Sequence, residues 1–135
     1  ENTPFVIHRA ILGSLERFIG VLLEHLNGAL PLWLSPIQVR VTDFTDRNTK
    51  TAEKILKELK EKIPNLRIDS DFSSTTVSDK IRDASLMKIQ YILVIGDKEE
   101  KNKTLAVRTR DGKVKYGVKI EDFVSELKDK IEKRT

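Results

Sequence analysis

Five consecutive apolar residues, Tyr91-Ile92-Leu93-Val94-Ile95, constrain the fold of this chain more than any other feature. A wholly apolar run of this length is what the middle strand of a parallel sheet requires, because both of its faces are covered. The flanking sequence supplies the covering helices. Residues 49–62 place Ala52, Ile55, Leu56, Leu59 and, just beyond, Ile63 on one side and lysines on the other. Residues 77–89 read as a second helix. Residues 120–133 read as a third, with Ile120, Phe123, Val124, Leu127 and Ile131 along one face. Strands are expected at 37–44, 66–69 and 91–95, followed by a hairpin of 105–109 and 115–118 around Asp111-Gly112. The order β-α-β-α-β-β-β-α predicts an α/β domain: a mixed five-stranded sheet covered by three helices.

Ahead of that domain the pattern changes. Residues 4–12, PFVIHRAIL, are rich in branched apolar types and read as a buried strand ending at Gly13. Ser14 is an N-cap candidate for a helix carrying Leu15, Phe18, Ile19, Leu22, Leu23 and Leu26 at helical spacing, with Asn27-Gly28 as its stop. Pro31 and Pro36 frame Leu32-Trp33-Leu34, a connector with an aromatic anchor. The expected division is therefore residues 1–36, a strand–helix unit plus connector, and residues 37–135, the α/β domain.

Composition narrows the chemistry. At 39% hydrophobic and 34% charged, the chain is neither collagen-like nor a disordered low-complexity tract. It has no cysteine, so disulfides, thiolate zinc clusters and cysteine nucleophiles are excluded. The two histidines, His8 and His25, do not make a histidine-rich metal site. The formal charge is +4, and residues 1–36 contribute none of that excess, carrying Arg9 and Arg17 against Glu1, Glu16 and Glu24. A mildly basic 37–135 segment suits a partner that bears phosphate and is also ordinary for a soluble domain. The most apolar run, Gly20 to Leu34, is interrupted by Glu24, His25, Asn27 and Pro31 and does not span a bilayer. The chain begins at Glu1 rather than methionine, as a processed protein or a piece of a longer one would.

The sharpest local signal is Gly13-Ser14-Leu15-Glu16-Arg17, between the expected strand and helix. A glycine at a strand end lets a ligand approach the backbone, and a helix start offers N–H groups to phosphate. An arginine in the first turn can stack its guanidinium on a base. Spacing alone reads first as a solvated Glu16–Arg17 pair at a helix start. The surrounding words add to this. Ile7-His8-Arg9-Ala10-Ile11-Leu12-Gly13-Ser14, Glu16-Arg17-Phe18-Ile19-Gly20, Pro31-Leu32-Trp33-Leu34-Ser35-Pro36, Lys80-Ile81-Arg82, Gly96-Asp97-Lys98-Glu99 and Val107-Arg108-Thr109-Arg110 stand in order along nearly the whole chain. Together they resemble motif 3 and the anticodon-binding domain of class II aminoacyl-tRNA synthetases, and most narrowly those of the threonyl-tRNA synthetase family.

The resemblance implies roles. His8 matches a zinc ligand whose two companions belong upstream. Arg17 matches the arginine that stacks on the adenine of ATP, and Gly13 and Ser14 match positions beside the adenylate. The resemblance thus implies zinc and ATP with magnesium in a complete enzyme, neither held by this chain alone, and a chain that does not form adenylate unaided. Glu99 and Arg108 match the positions that read the second and third anticodon bases of threonine tRNA, guanine and uracil. Arg82 and Lys88 match basic positions on the neighbouring helix. Ser74, within Ser73-Ser74-Thr75-Thr76, replaces an asparagine that contacts the anticodon in bacterial relatives. On sequence alone each is equally a solvated charge or polar residue, and Glu99 foremost. Phe72, Tyr91 and Tyr116 are the stacking candidates near the expected groove, with Tyr91 better suited to the core. The resemblance also implies a cytoplasmic homodimer as the parent. Two other readings stay open: a stand-alone RNA-binding paralogue, and a protein-interaction accessory domain of the same fold. The apolar residues of 1–28 are expected to make the isolated chain self-associate.

Overall fold

The non-consecutive strand pairing among the described residues joins β1 (Val39–Asp43) and β3 (Tyr91–Ile95), the two strands that are buried almost throughout. The computed structural model describes residues 3–134. Glu1, Asn2 and Thr135, the outermost residues of the two expected divisions, lie outside the described residues. β2 (Ile68–Asp71) pairs with β1 in parallel, and β1 pairs with β3 in parallel. β4 (Thr104–Thr109) runs antiparallel to β3, and β5 (Val114–Lys119) antiparallel to β4. The sheet order is β2-β1-β3-β4-β5. This is the mixed five-stranded sheet expected from the sequence.

The helices divide between the two faces. α2 (Thr49–Lys62) and α5 (Ile120–Glu132) bring Ala52, Ile55, Leu59, Phe123 and Leu127 onto Val39, Val41, Leu93, Leu105 and Val107. α3 (Val77–Leu86) covers the opposite face, where Ala84 and Ile81 pack with Ile92 and Val94. This split follows from chain handedness. β1 leads to β2 on one side of it, and β2 leads back across to β3 on the other. Right-handed crossovers then put α2 and α3 on opposite faces.

Local chemistry sets the helix ends. Asp71 Oδ1 accepts from the Ser73 backbone N–H at 3.1 Å and from its hydroxyl at 2.7 Å, closing the turn that follows β2. Burial pushes the Asp71 carboxyl up, but the Ser73 hydrogen bonds outweigh it and the group titrates below its ordinary value. Thr76 then caps α3, its hydroxyl oxygen accepting from the Asp79 N–H at 3.2 Å. α3 stops at Leu86, three residues before the expected end. Lys88 takes a left-handed conformation (φ +57°), its N–H bonds to Ser85 O, and the Ile89 N–H bonds to Ala84 O. This Schellman closure turns Ile89 into the core instead of continuing the helix.

Three further expectations are corrected. Residues 4–12 form no strand: they carry no regular structure and are exposed, because no partner strand among the described residues offers them a ladder. The second strand starts at Ile68 rather than Leu66, which turns into the core instead. A short helix, α4 (Asp97–Asn102), follows β3 where no helix was expected, so the sheet carries one more helix than the three predicted.

Contacts group the chain into one unit through Leu30 and another from Pro31. The first holds α1 (Leu15–His25), capped by Ser14, with no fully buried residue. In the second, the connector packs by Leu32 rather than by its aromatic residue: Leu32 is fully buried, while Trp33 is 37% exposed. Gln38 Nε2 donates to Leu32 O at 2.9 Å, and Arg67 donates to Ser35 O and Trp33 O at 2.8 and 2.6 Å.

One buried ion pair ties α3 to the sheet. Lys80 Nζ lies 2.5 Å from Asp43 Oδ1, both side chains almost wholly buried, and Thr49 Oγ1 donates to the other carboxylate oxygen. Removing one member of such a pair leaves an uncompensated charge in a medium that solvates it poorly. Lys80→Met is therefore expected to destabilise the domain by about 3–5 kcal/mol. Urea denaturation monitored by circular dichroism would read this as a lowered midpoint, with most of the loss recovered when Asp43→Asn is added.

Candidate nucleic-acid interface

Two helices cover one face of the sheet and one covers the other, so part of β4 and β5 on the α3 side is left uncovered. A groove of about 480 Å³ lies there. Ala106 and Arg108 of β4 and Val114 and Tyr116 of β5 contribute from the sheet. Val77 and Ile81 contribute from α3, Phe44 and Gly96 from the ends of β1 and β3, and Asp97, Lys98 and Glu99 from α4. β1 and β3 are adjacent parallel strands, and the crossover that leaves β1 and the one that enters β3 run on opposite faces of the sheet. The crevice beyond their carboxyl ends is where open α/β sheets bind ligands.

Gly96 makes the corner between β3 and α4. An added Cβ would lie 3.1 Å from Glu99 Oε2 and 3.5 Å from Phe44 Cβ, so glycine allows both to close in. The Gly96 N–H donates to Glu99 Oε2 at 3.1 Å, which holds the half-buried carboxylate at the groove wall and uses only part of its acceptor capacity. Arg108 sits half-buried across β4, opposite Ile92 and Val114, and makes no ion pair among the described residues. The groove thus presents a carboxylate acceptor, a guanidinium donor and an aromatic ring. Those are the three kinds of contact that an unpaired base takes.

α4 is only six residues long and is held from outside. Asn48, buried before α2, donates to Asp97 Oδ1 at 2.9 Å and to Glu100 Oε2 at 2.8 Å, and Thr51 Oγ1 donates to Glu100 Oε1 at 2.8 Å. The hydrogen bonds from Thr51 and then Asn48 hold the Glu100 carboxyl below its ordinary value. The sequence shows no apolar periodicity in Asp97-Lys98-Glu99-Glu100, which is why the helix was missed. Its signal was the acidic first turn after a glycine cap.

The other expected site residues lie elsewhere. Arg82 is exposed on α3, its guanidinium 3.9 Å from Asp79 Oδ1. Lys88 is exposed at the left-handed end of that helix. Ser74 is exposed in the turn before it. Of the aromatic candidates, Tyr91 is core, edge-on to Phe123 with ring centroids 5.5 Å apart, and Phe72 packs on the α2–α5 side. Tyr116 alone of these faces the groove. Phe44, Val77 and Ile81 were not foreseen as groove residues. In the first unit, His8 is exposed, Gly13 has φ +69°, and Ser14 Oγ accepts from Arg17 N at 3.3 Å. No group of three His, Cys, Asp or Glu among the described residues could hold a metal. Zinc takes three or four protein ligands, so His8 by itself does not form the zinc site. No helix among the described residues is long and apolar enough to cross a membrane.

The arrangement defines a doubly wound α/β domain with an open crevice at the strand ends. The same fold recurs in the crystal structure of prolyl-tRNA synthetase from Cryptosporidium parvum (TM-score 0.71, 20% identity, covering 87% of this chain and 26% of that one). The anticodon binding domain family model matches residues 36–130, and the chain belongs to that family. It is similar to the RNA binding domain of threonyl-tRNA synthetase from Cryptosporidium parvum Iowa II, with TM-score 0.79 and 33% identity over 91% of this chain and 30% of that one. It is 47% identical over 97% of its length to a threonine–tRNA ligase of Alkalilimnicola ehrlichii, and 44% identical over 96% to one of Sulfurihydrogenibium sp.. It spans 20% of the length of each of those curated relatives.

The Glu100 tether carries a pH dependence. Its folded pKa lies below the unfolded value, so its contribution to holding α4 is present above that unfolded value and is lost as pH falls through the folded one. Lowering the pH below about 4 should loosen α4. Amide exchange across 99–102, corrected for intrinsic rates, is expected to accelerate there, and Asn48→Ala should produce the same acceleration at neutral pH.

Proposed function

We propose that this chain is the anticodon-reading piece of a threonine–tRNA ligase, an enzyme that activates threonine with ATP and transfers it to threonine tRNA. The observation that carries the reading is the convergence of Glu99 and Arg108 on one groove, in a chain that aligns over 97% of its length with a threonine–tRNA ligase. In this reading the Glu99 carboxylate accepts from the N1 and N2 donors of guanine at the second anticodon position. Arg108 donates to the carbonyl oxygens of uracil at the third. Arg82 on α3 and Lys88 just past its end lie outside the groove lining and meet the phosphate backbone, while Ser74, in the turn before α3, stands where bacterial relatives contact the anticodon with an asparagine. A serine in place of the longer asparagine reads the anticodon through water or less strictly. The larger enzyme would act in the cytoplasm as a homodimer. It would use zinc and ATP with magnesium at a catalytic site to which His8, Gly13, Ser14 and Arg17 belong, and residues 1–36 would form the edge of its catalytic domain.

Glu99→Ala and Arg108→Ala should each weaken binding of threonine tRNA by about 1–3 kcal/mol and blur discrimination at one anticodon base. Lys88→Ala should weaken all anticodons evenly and flatten the salt dependence. Filter binding against anticodon-mutated transcripts tests this. Equal losses for every anticodon in all three variants would remove the base-reading roles and favour a general RNA-binding module, and no binding by the parent chain would favour a protein-interaction domain.

Phe5, Ile7, Ile11, Leu12 and Leu15 are exposed large apolar side chains in the first unit. Such a set seeks cover, since fully burying each is worth roughly 1.5–3 kcal/mol. The isolated chain is expected to self-associate through residues 1–28, and deleting them should give a folded monomer. Light scattering across a concentration series decides, and a strictly monomeric parent chain would refute it.

A further inference from the structure

Tyr116 is a large side chain of the groove that the fold itself does not use. It is 75% exposed on the edge strand β5, and makes no hydrogen bond, ring stack or cation contact among the described residues. Its direction is not accidental to the strand. Lys115 pairs with Val107 and Val118 with Leu105, so β5 carries an extra residue between them, and Gly117 takes φ +71° within that stretch. The bulge changes the phase of the strand. Val118 turns onto the α2–α5 core, while Val114 and Tyr116 turn to the groove beside Arg108. Phe44, 58% exposed, lines the same groove.

Resting on the reading above that the groove receives an anticodon, we propose that Tyr116 is a stacking platform for one unpaired nucleobase, supplying affinity without identifying the base. The groove pairs an acceptor at Glu99 and a donor at Arg108 with a flat, uncommitted aromatic face, and a nucleobase has a polar edge and a flat face to match both. Every base offers that face, so a stacking contact tolerates sequence, whereas edge contacts do not. Tyr116 is a binding residue in this assignment, and Phe44 is an apolar neighbour.

The test uses the full chain and the anticodon stem-loop of threonine tRNA, with 2-aminopurine placed at each anticodon position in turn. Tyr116→Ala should raise Kd about tenfold, within the range that base–aromatic stacking supports. The rise should be the same for matched and mismatched anticodons, and quenching of 2-aminopurine should be lost at one position. Tyr116→Phe should keep both affinity and quenching. Thermal melting by circular dichroism should show all variants folded, since the side chain is exposed. Unchanged binding by Tyr116→Ala while Glu99→Ala loses affinity would overturn the platform and leave the anticodon reading standing. Equal losses for Tyr116→Phe and Tyr116→Ala would assign the contact to the hydroxyl and overturn stacking. No binding of the stem-loop by the parent chain would remove the anticodon reading and this inference with it.

Discussion

Parallel strands cannot be joined by a tight turn, and right-handed crossovers decide which face each connection takes. Here β1 is flanked by β2 and β3, so the crossover from β1 to β2 and the return crossover from β2 to β3 run in opposite directions and are driven to opposite faces. Everything at the functional end of the domain descends from this. The chain leaves the carboxyl end of β1 toward α2 and that of β3 into the short α4. Phe44 and Gly96 stand at those ends, tied by the Phe44 N–H to Ile95 O bond at 2.8 Å. The antiparallel return through β4 and β5 widens the sheet beyond the reach of α3, and the strip left bare is the groove.

Polar groups on the α3 side serve two opposite ends. Asp43, Lys80 and Thr49 satisfy one another out of water, and Arg40 pairs with Asp69 across the strands. Of these, the Lys80–Asp43 pair ties α3 to the sheet. Glu99 and Arg108 are only half-buried, and neither completes an ion pair with the other or with a neighbour among the described residues. One set of charges is consumed in holding the walls apart at a fixed spacing, and the second set is left in the space between them.

The parts of the fold legible in the sequence were those with strong periodicity. Tyr91–Ile95, the apolar stripes of α2 and α5, and the Asp111-Gly112 turn each express a repeat or a turn chemistry within a few residues. What was not legible depends on groups far apart in the chain. α4 exists because Asn48 and Thr51 reach it across about fifty positions, and no local pattern encodes that. Residues 4–12 have strand composition, yet a strand needs a ladder partner, which composition does not supply. Lys88 looks like a continuation of α3 until the left-handed turn that places Ile89 in the core is seen. Of the site, Glu99 and Arg108 came from a family resemblance and not from their own surroundings. Tyr116 was legible only as a residue type, because its direction depends on the bulge.

That bulge divides β5 into two halves that answer to different demands. Beyond Gly117, Val118 is bound to the core and its replacement is a matter of packing. Before it, Val114 and Tyr116 touch nothing the core requires. Insertion or loss of a single residue at this point would exchange the sides that the two halves present without lengthening any loop. The edge strand is therefore a place where the groove's lining can drift through evolution while the core stays as it is, and relatives with the same fold are free to line that groove differently.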